Sequence, residues 1–333
     1  MRILVTGATG RVGGRVVQRL LEEPDGHQVF AVVRDRAAAL PAGVEPVPAD
    51  LTDPGSLGAL RPADAAFLLF PSIAGDPAAP RVVSAVADSV RGAGGRIVYQ
   101  SAHGADSAAG QGGIMGSHTL LEGLIRETGV PWTFLRSSGF AANTLGWADS
   151  IRATGTVRWP AADARRALIH EDDLAAVAVQ SLTGAGDRTA AGGDQIATGD
   201  QTRTGTPGDR TPGGAAGRAA SAPGQQHQAQ PNQAQRNQAL HLTGPEQLTQ
   251  REYAEHIGEV IGRPVAYVEL SQQQAMSELF AGLPESFARS IIDGQRAMID
   301  NPEPVTDTVA ELLGRPAQPF TRWVADHRAA FAG

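Results

Sequence analysis

The stretch Arg2–Gly14, RILVTGATGRVGG, decides the fold. Arg2–Thr6 is a short apolar run that reads as a strand, and Gly7, Gly10, Gly13 and Gly14 crowd the turn after it. Arg15–Leu21 has helical spacing, with Val16, Val17, Leu20 and Leu21 apolar. A turn at Pro24-Asp25-Gly26 leads into a second apolar strand, Gln28–Val33. Strand, glycine-rich turn, helix and strand make one βαβ unit. In such a turn Gly7 permits a tight exit from the strand and Gly10 lets backbone approach a pyrophosphate closely. Gly13 lets the helix pack against the strand. The amino end of the helix offers unpaired N–H groups and a partial positive charge to a diphosphate. Each such charge–dipole contact contributes about 0.3–1 kcal/mol. The alternative is a structural turn that has lost its ligand.

Outward from this unit, strands and helices alternate. Val44–Pro48 is a third strand candidate, and Asp53-Pro54 is a helix start, with Asp as cap and Pro at the first helical position. Ala65–Phe70 is an uninterrupted apolar run, as a strand buried on both faces requires. Pro80–Val90 is amphipathic, and Arg96–Gln100 is the fifth strand. Ala105–Gly113 reads as a loop, Ile114–Thr128 as a helix and Trp132–Leu135 as the sixth strand. The alternation predicts a doubly wound, Rossmann-type parallel sheet covered on both faces. Ligands bind such sheets at the carboxyl ends of the strands. The candidates are therefore Gly7, Ala8, Thr9, Gly10, Arg11, Val12, Arg34, Asp50, Phe70, Pro71, Ser72, Ser101, Ala102, His103, Ser137, Ser138, Gly139 and Phe140.

After Phe140 the pattern loosens. Ala167–His170 reads as a short strand leading into a helix that runs to Leu182. The segment 183–237 holds near-repeats of Gly, Thr, Asp, Gln and Asn with almost no large apolar residue, so it reads as a disordered insertion. Folded sequence resumes at Ala239–Thr243. Helices follow at Gln250–Ile261, Gln272–Gly282, Glu285–Met298, Val305–Leu313 and Phe320–Phe331, with a strand at Val265–Val268. The expected organisation is a nucleotide-binding domain over 1–140 and a small, mostly helical C-terminal lobe from 141–182 and 238–333. That lobe interleaves with the sheet and covers its ligand edge.

Composition narrows the function. The 333 residues are 41% hydrophobic, enough for one large domain or two smaller ones. The net charge of −7 argues against a nucleic-acid partner. With no cysteine, disulfides, thiolate metal sites and thiol catalysis are excluded, and a reducing cytoplasm fits. The chain opens on a core strand, which leaves no room for a signal peptide, and no apolar run is long enough for a membrane span. All 28 basic residues are arginine. That removes any mechanism needing a lysine ammonium.

Taken together, TGATGRVG (Thr6–Gly13), VVRD (Val32–Asp35), ADLTD (Ala49–Asp53), His118-x3-Glu122, TFLR (Thr133–Arg136), HEDDL (His170–Leu174) and LTGPE (Leu242–Glu246) resemble the NmrA-like branch of the atypical short-chain dehydrogenases/reductases. The resemblance covers nearly the whole chain except 183–237. It implies NAD(P) on the first domain and a small or mid-sized organic ligand under the C-terminal lobe. A homodimer is common in the superfamily, but no residue here specifies one. Arg34 stands where NAD-specific proteins place an acidic residue. An arginine there can pair with a 2′-phosphate, which favours NADP(H) over NAD(H). The alternative is a solvated arginine beside Asp35. Arg11 is placed to assist with phosphate. Asp50, with Leu51, resembles the family's adenine contact or else caps the next turn.

The superfamily's catalytic Tyr-x3-Lys is missing: there is no lysine, and the tyrosines are Tyr99, Tyr253 and Tyr267. The equivalent helix carries His118 and Glu122, whose i, i+4 spacing sets both on one face, where a carboxylate can orient an imidazole. His118 is then a proton donor or ligand contact, or the two are a polar pair bordering the cofactor. Ser101 resembles the serine that polarises a substrate carbonyl, or it satisfies backbone at the strand end. Glu171-Asp172-Asp173 is a helix start that favours acids rather than a metal site. Three functions compete: NADPH-dependent reduction of a quinone or conjugated carbonyl compound, NADP(H) sensing through a protein partner, and non-redox biosynthetic chemistry on the same fold.

Overall fold

The computed structural model describes residues 1–70, 77–106, 113–184 and 237–332. The expected disordered insertion lies almost entirely outside the described residues, as do Pro71, Ser72 and most of the expected loop 105–113. Seven parallel strands form the main sheet in the order β3-β2-β1-β4-β5-β6-β9. They are β1 (Arg2–Val5), β2 (Gln28–Val33), β3 (Val44–Pro48), β4 (Ala65–Leu68), β5 (Arg96–Ala102), β6 (Trp132–Ser137) and β9 (Gln238–Leu242). The order reverses between β1 and β4, which opens a crevice at their carboxyl ends. One face is covered by α1 (Arg11–Glu22) and α5 (Glu171–Thr183), which pack together through Val12, Val16, Val17, Leu174 and Ala178. The other is covered by α2 (Ala79–Arg91) and α3 (Gly113–Glu127), over Tyr99, Phe134, Leu121 and Ile125.

Two segments that the sequence grouped with the C-terminal lobe thus belong to the sheet layers. Helix α5 packs on α1, and β9 pairs in register with β6, Phe134 opposite Ala239. The remainder gathers around two clusters. The larger joins α4 (Ala148–Thr154), α6 (Gln250–Ile261), α9 (Phe320–Asp326) and α10 (Arg328–Ala332) through Ile151, Tyr253, Ile257, Trp323 and Phe331. The smaller lies under α7 (Gln272–Glu278) and α8 (Glu285–Asp300), around Phe280, Ala288 and Ile292. Strand β7 (Thr156–Trp159) pairs in parallel with β11 (Ala266–Glu269), and β8 (Arg165–Arg166) pairs antiparallel with β10 (Leu248–Thr249).

Several boundaries differ from the expectation. Helix α1 begins at Arg11 rather than Arg15, so Gly13 and Gly14 are already helical. Asp53 caps only a 3-10 turn, Pro54–Ala59, accepting from Gly55 N at 2.9 Å; its two glycines are weak helix formers. Ala167–His170 is not a strand. Ile169 makes one isolated bridge to Phe140, while Ala167 N donates to Glu303 and Leu168 N to Tyr253 Oη. The last helix breaks in two at His327, whose N–H bonds back to the Trp323 and Val324 carbonyls.

Candidate active site

The turn between β1 and α1 sits at the crevice and is closed to side chains from within. Thr6 Oγ1 donates to the Leu69 carbonyl at 2.8 Å and accepts Leu69 N–H at 2.7 Å, which ties β1 to the end of β4. Gly7 has φ +65°, and a Cβ on Gly13 would stand 2.2 Å from the Gly7 carbonyl oxygen. Gly10 occupies the N-cap of α1 with no side-chain cap, and the first turn holds no acidic residue. Ala8 and Val12 are buried while Thr9 and Arg11 are exposed. This cradle suits an anion that must approach bare backbone at a helix amino end. Arg15 pairs with Asp172 at 2.5 Å and fastens α1 to α5. Arg11, expected to assist phosphate, donates to the Ala142 carbonyl at 3.1 Å, which the 3-10 segment Ala141–Trp147 presents beside it.

Arg34 is exposed at the end of β2 and makes no hydrogen bond or ion pair among the described residues. Asp35, beside it, accepts Ala37 N–H on its carboxylate at 2.8 Å. Asp50 caps its own turn, accepting Thr52 N–H at 2.9 Å and Thr52 Oγ1 at 2.8 Å. These bonds, with a smaller attraction from Arg34, hold its carboxyl below the usual range. Leu51 is half-buried, and Phe70 is buried against the α2 side of the core. After β6, Ser137 Oγ accepts from Gln100 Nε2 at 2.8 Å, and Ser138 N donates to the Leu242 carbonyl at 2.9 Å. Gly139 lies against Arg166, whose Nη2 would be 2.2 Å from a Cβ there. Arg166 is paired with buried Glu303 at 2.9 Å. Phe140 bridges to Ile169.

The expected partnership of His118 with Glu122 does not form. Glu122 is 1% exposed and is taken by other groups. Arg136 Nε reaches Oε1 at 2.9 Å and Nη2 reaches Oε2 at 2.7 Å, while Ser101 Oγ donates to Oε1 at 2.7 Å. Arg126 adds a bond of 2.9 Å. Burial pushes the Glu122 carboxyl up, but the Arg136 and Ser101 hydrogen bonds and the two arginine charges together hold it below its usual value. Ser101 is thus buried with its hydroxyl committed. His118 is half-buried and its Nδ1 lies 2.7 Å from Tyr99 Oη. Burial lowers the His118 pKa, against a weaker upward pull from Glu122. Burial raises that of Tyr99 far above the usual phenol value. His103 turns its Nδ1 to that of His241 on β9, 3.3 Å away. The acidic run after His170 serves α5: Asp172 holds Arg15, and Asp173 holds Arg315 and Gln318.

Tyr99, Arg136, Arg166 and Glu303 were not singled out from the sequence as members of this region. For Tyr99 and Arg136 a signal existed, since period-two alternation sets Tyr99 on the face of Ser101, and Arg136 pairs with Ser101 across the sheet. Among the described residues no group of three or more His, Asp or Glu is placed to hold a metal ion, and no helix is long and apolar enough to cross a membrane.

Comparison with known proteins agrees with this geometry. A family model described as NAD(P)H-binding matches residues 7–185. The chain is 33% identical over 336 residues to a (4-alkanoyl-5-oxo-2,5-dihydrofuran-3-yl)methyl phosphate reductase of Streptomyces griseus, covering 99% of each. It is 30% identical over 338 residues to an NAD(P)H azoreductase of Xenophilus azovorans, again covering 99% of each. In fold it is similar to the NADPH-dependent quinone oxidoreductase of Escherichia coli complexed with NADPH, with a TM-score of 0.70 at 22% identity over 98% of this chain and 99% of the other. With a glycine cradle at the switch point, a match over more than half its length and relatives spanning all but its ends, the chain belongs to the NAD(P)H-binding family, in its NmrA-like branch.

Proposed function

We propose that the chain is an NADPH-dependent reductase acting on a quinone or a conjugated carbonyl compound. The observation that carries this reading is the bare amino end of α1, with no acidic residue in its first turn, and Arg34 at the neighbouring strand end with no ion pair among the described residues. The names of the two full-length relatives, a reductase of an unsaturated lactone phosphate and an azoreductase, support it.

A reduced nicotinamide held in the crevice supplies a hydride. The chain's own residues bind and orient. Gly7–Val12 receive the diphosphate on backbone N–H groups, Arg34 pairs with a 2′-phosphate, and Ser138–Phe140 back the cofactor from the end of β6. His118 stands one turn before Glu122 on α3, with its ring half-buried against Tyr99 of β5. In this reading His118, whose Nε2 has no hydrogen-bond partner among the described residues, takes the substrate oxygen. Quinones and conjugated carbonyls suit a site without a Tyr-Lys pair, because reduction leaves a delocalised oxyanion that needs no strong internal acid. The test is oxidation of NADPH by the purified protein across a panel of quinones, enones and simple ketones. Turnover is expected with the first two classes and not the third. Tight NADPH binding without turnover on any of them would instead support a sensor.

A further inference from the structure

We infer that Tyr99 fixes His118 as a neutral imidazole with its proton on Nε2, so that His118 polarises the substrate oxygen by hydrogen bonding and does not protonate it. This rests on the reductase reading for the substrate, but the tautomer stands on the geometry of the chain alone. Tyr99 is fully buried, and its hydroxyl has no partner among the described residues other than His118 Nδ1, at 2.7 Å. A buried phenol must donate its proton somewhere. Donating to Nδ1 satisfies both groups, and Nδ1 can then carry no proton. The remaining proton sits on Nε2, which has no hydrogen-bond partner among the described residues.

The surroundings keep the ring neutral. Burial disfavours the imidazolium. The charge nearest along the helix, Glu122, is already matched by Arg136 and Arg126. From β5 the facing group is the Tyr99 hydroxyl, and α2 turns the apolar side chains Val82, Val83, Val86, Ala87 and Val90 inward. A neutral Nε2–H that gave up its proton would leave an imidazolate unless Tyr99 became a phenolate at the same moment, and burial opposes that. Tyr99 is therefore a positioning residue, and His118 is an electrophile of the kind a neutral histidine provides elsewhere. In the balance of the reaction, the hydride reaches a substrate carbon and the displaced electron pair collects on the substrate oxygen. Water then supplies the proton. This limits substrates to those whose reduced oxyanion is stabilised by conjugation.

The tautomer is read by long-range proton–nitrogen NMR on the full chain without cofactor, labelled at histidine nitrogen and assigned with His118→Asn. The expected spectrum shows Nδ1 unprotonated and Nε2 protonated from about pH 6 to 9, the range over which an ordinary histidine titrates. In Tyr99→Phe a mixture of tautomers and a higher His118 pKa are expected, with kcat for a quinone roughly three- to tenfold lower at unchanged NADPH affinity. The wild-type rate should be flat across that pH range, whereas a histidine acid would lose about tenfold per unit above its pKa. An Nδ1–H tautomer, an imidazolium near neutral pH, or a rate falling with that slope overturns the inference. Absence of turnover in the wild type contradicts the reductase reading and the role toward substrate, while the spectrum still decides the tautomer.

Discussion

Glu122 closes on Arg136, with two hydrogen bonds of 2.9 and 2.7 Å, and not on His118 one turn away along the same helix. The pair joins α3 to β6 inside the protein, and Ser101 completes it from β5. Removing the carboxylate leaves Arg136 buried with the half-exposed Asp106 as its one ion-pair partner among the described residues. Glu122→Ala should therefore lower the unfolding free energy by about 3 kcal/mol at neutral pH, measured by urea denaturation. The sign of the pH dependence follows from a folded pKa held below the ordinary value of 4.5. The carboxylate stabilises the fold above the unfolded glutamate pKa, and that contribution is lost as pH falls through the lower folded value. The difference between wild type and variant should shrink below about pH 4.

Gly13 admits no side chain, because a Cβ would stand 2.2 Å from a backbone oxygen. Gly13→Ala must displace either the Gly7 turn or α1, and NADPH affinity should fall by more than about tenfold as the backbone leaves the diphosphate. Gly123→Ala is the control, since a Cβ there meets nothing within 4 Å. It should leave NADPH binding unchanged and raise stability by about 0.5–1 kcal/mol. Calorimetric titration and thermal unfolding of the two variants read both effects.

Tyr253 carries a buried hydroxyl that donates to the Arg166 carbonyl at 2.9 Å and accepts Leu168 N–H at 3.0 Å. It fastens the 165–168 segment to α6. Tyr253→Phe leaves both backbone groups without this partner and should cost about 1–3 kcal/mol, seen as a lower denaturation midpoint.

The parts of the fold legible in the sequence were those written locally. The β1–α1–β2 unit announced itself through apolar runs and glycines whose spacing only one turn geometry explains. Strands β2 and β3 fell on the expected residues because turn residues bound them on both sides. What could not be read depended on distant partners. Ala167–His170 has strand-like composition, yet the N–H groups of Ala167 and Leu168 are taken by Glu303 and Tyr253, far along the chain. Helical spacing put His118 and Glu122 on one face, but the spacing of one helix says nothing of Arg136 or Tyr99, which reach them from neighbouring strands. The fate of β9 was equally hidden: ALHLT marks where folded sequence resumes, but nothing in it says that it extends the main sheet beyond β6.

The account depends most on a phosphorylated pyridine dinucleotide held between the amino end of α1 and Arg34. Calorimetric titration of NADPH and NADH into the wild type and Arg34→Ala tests it most directly. The expected result is tight NADPH binding by the wild type, weakened roughly ten- to a hundredfold in Arg34→Ala, with NADH affinity the same in both. Binding of neither dinucleotide, or an NADPH preference that survives in Arg34→Ala, would contradict it.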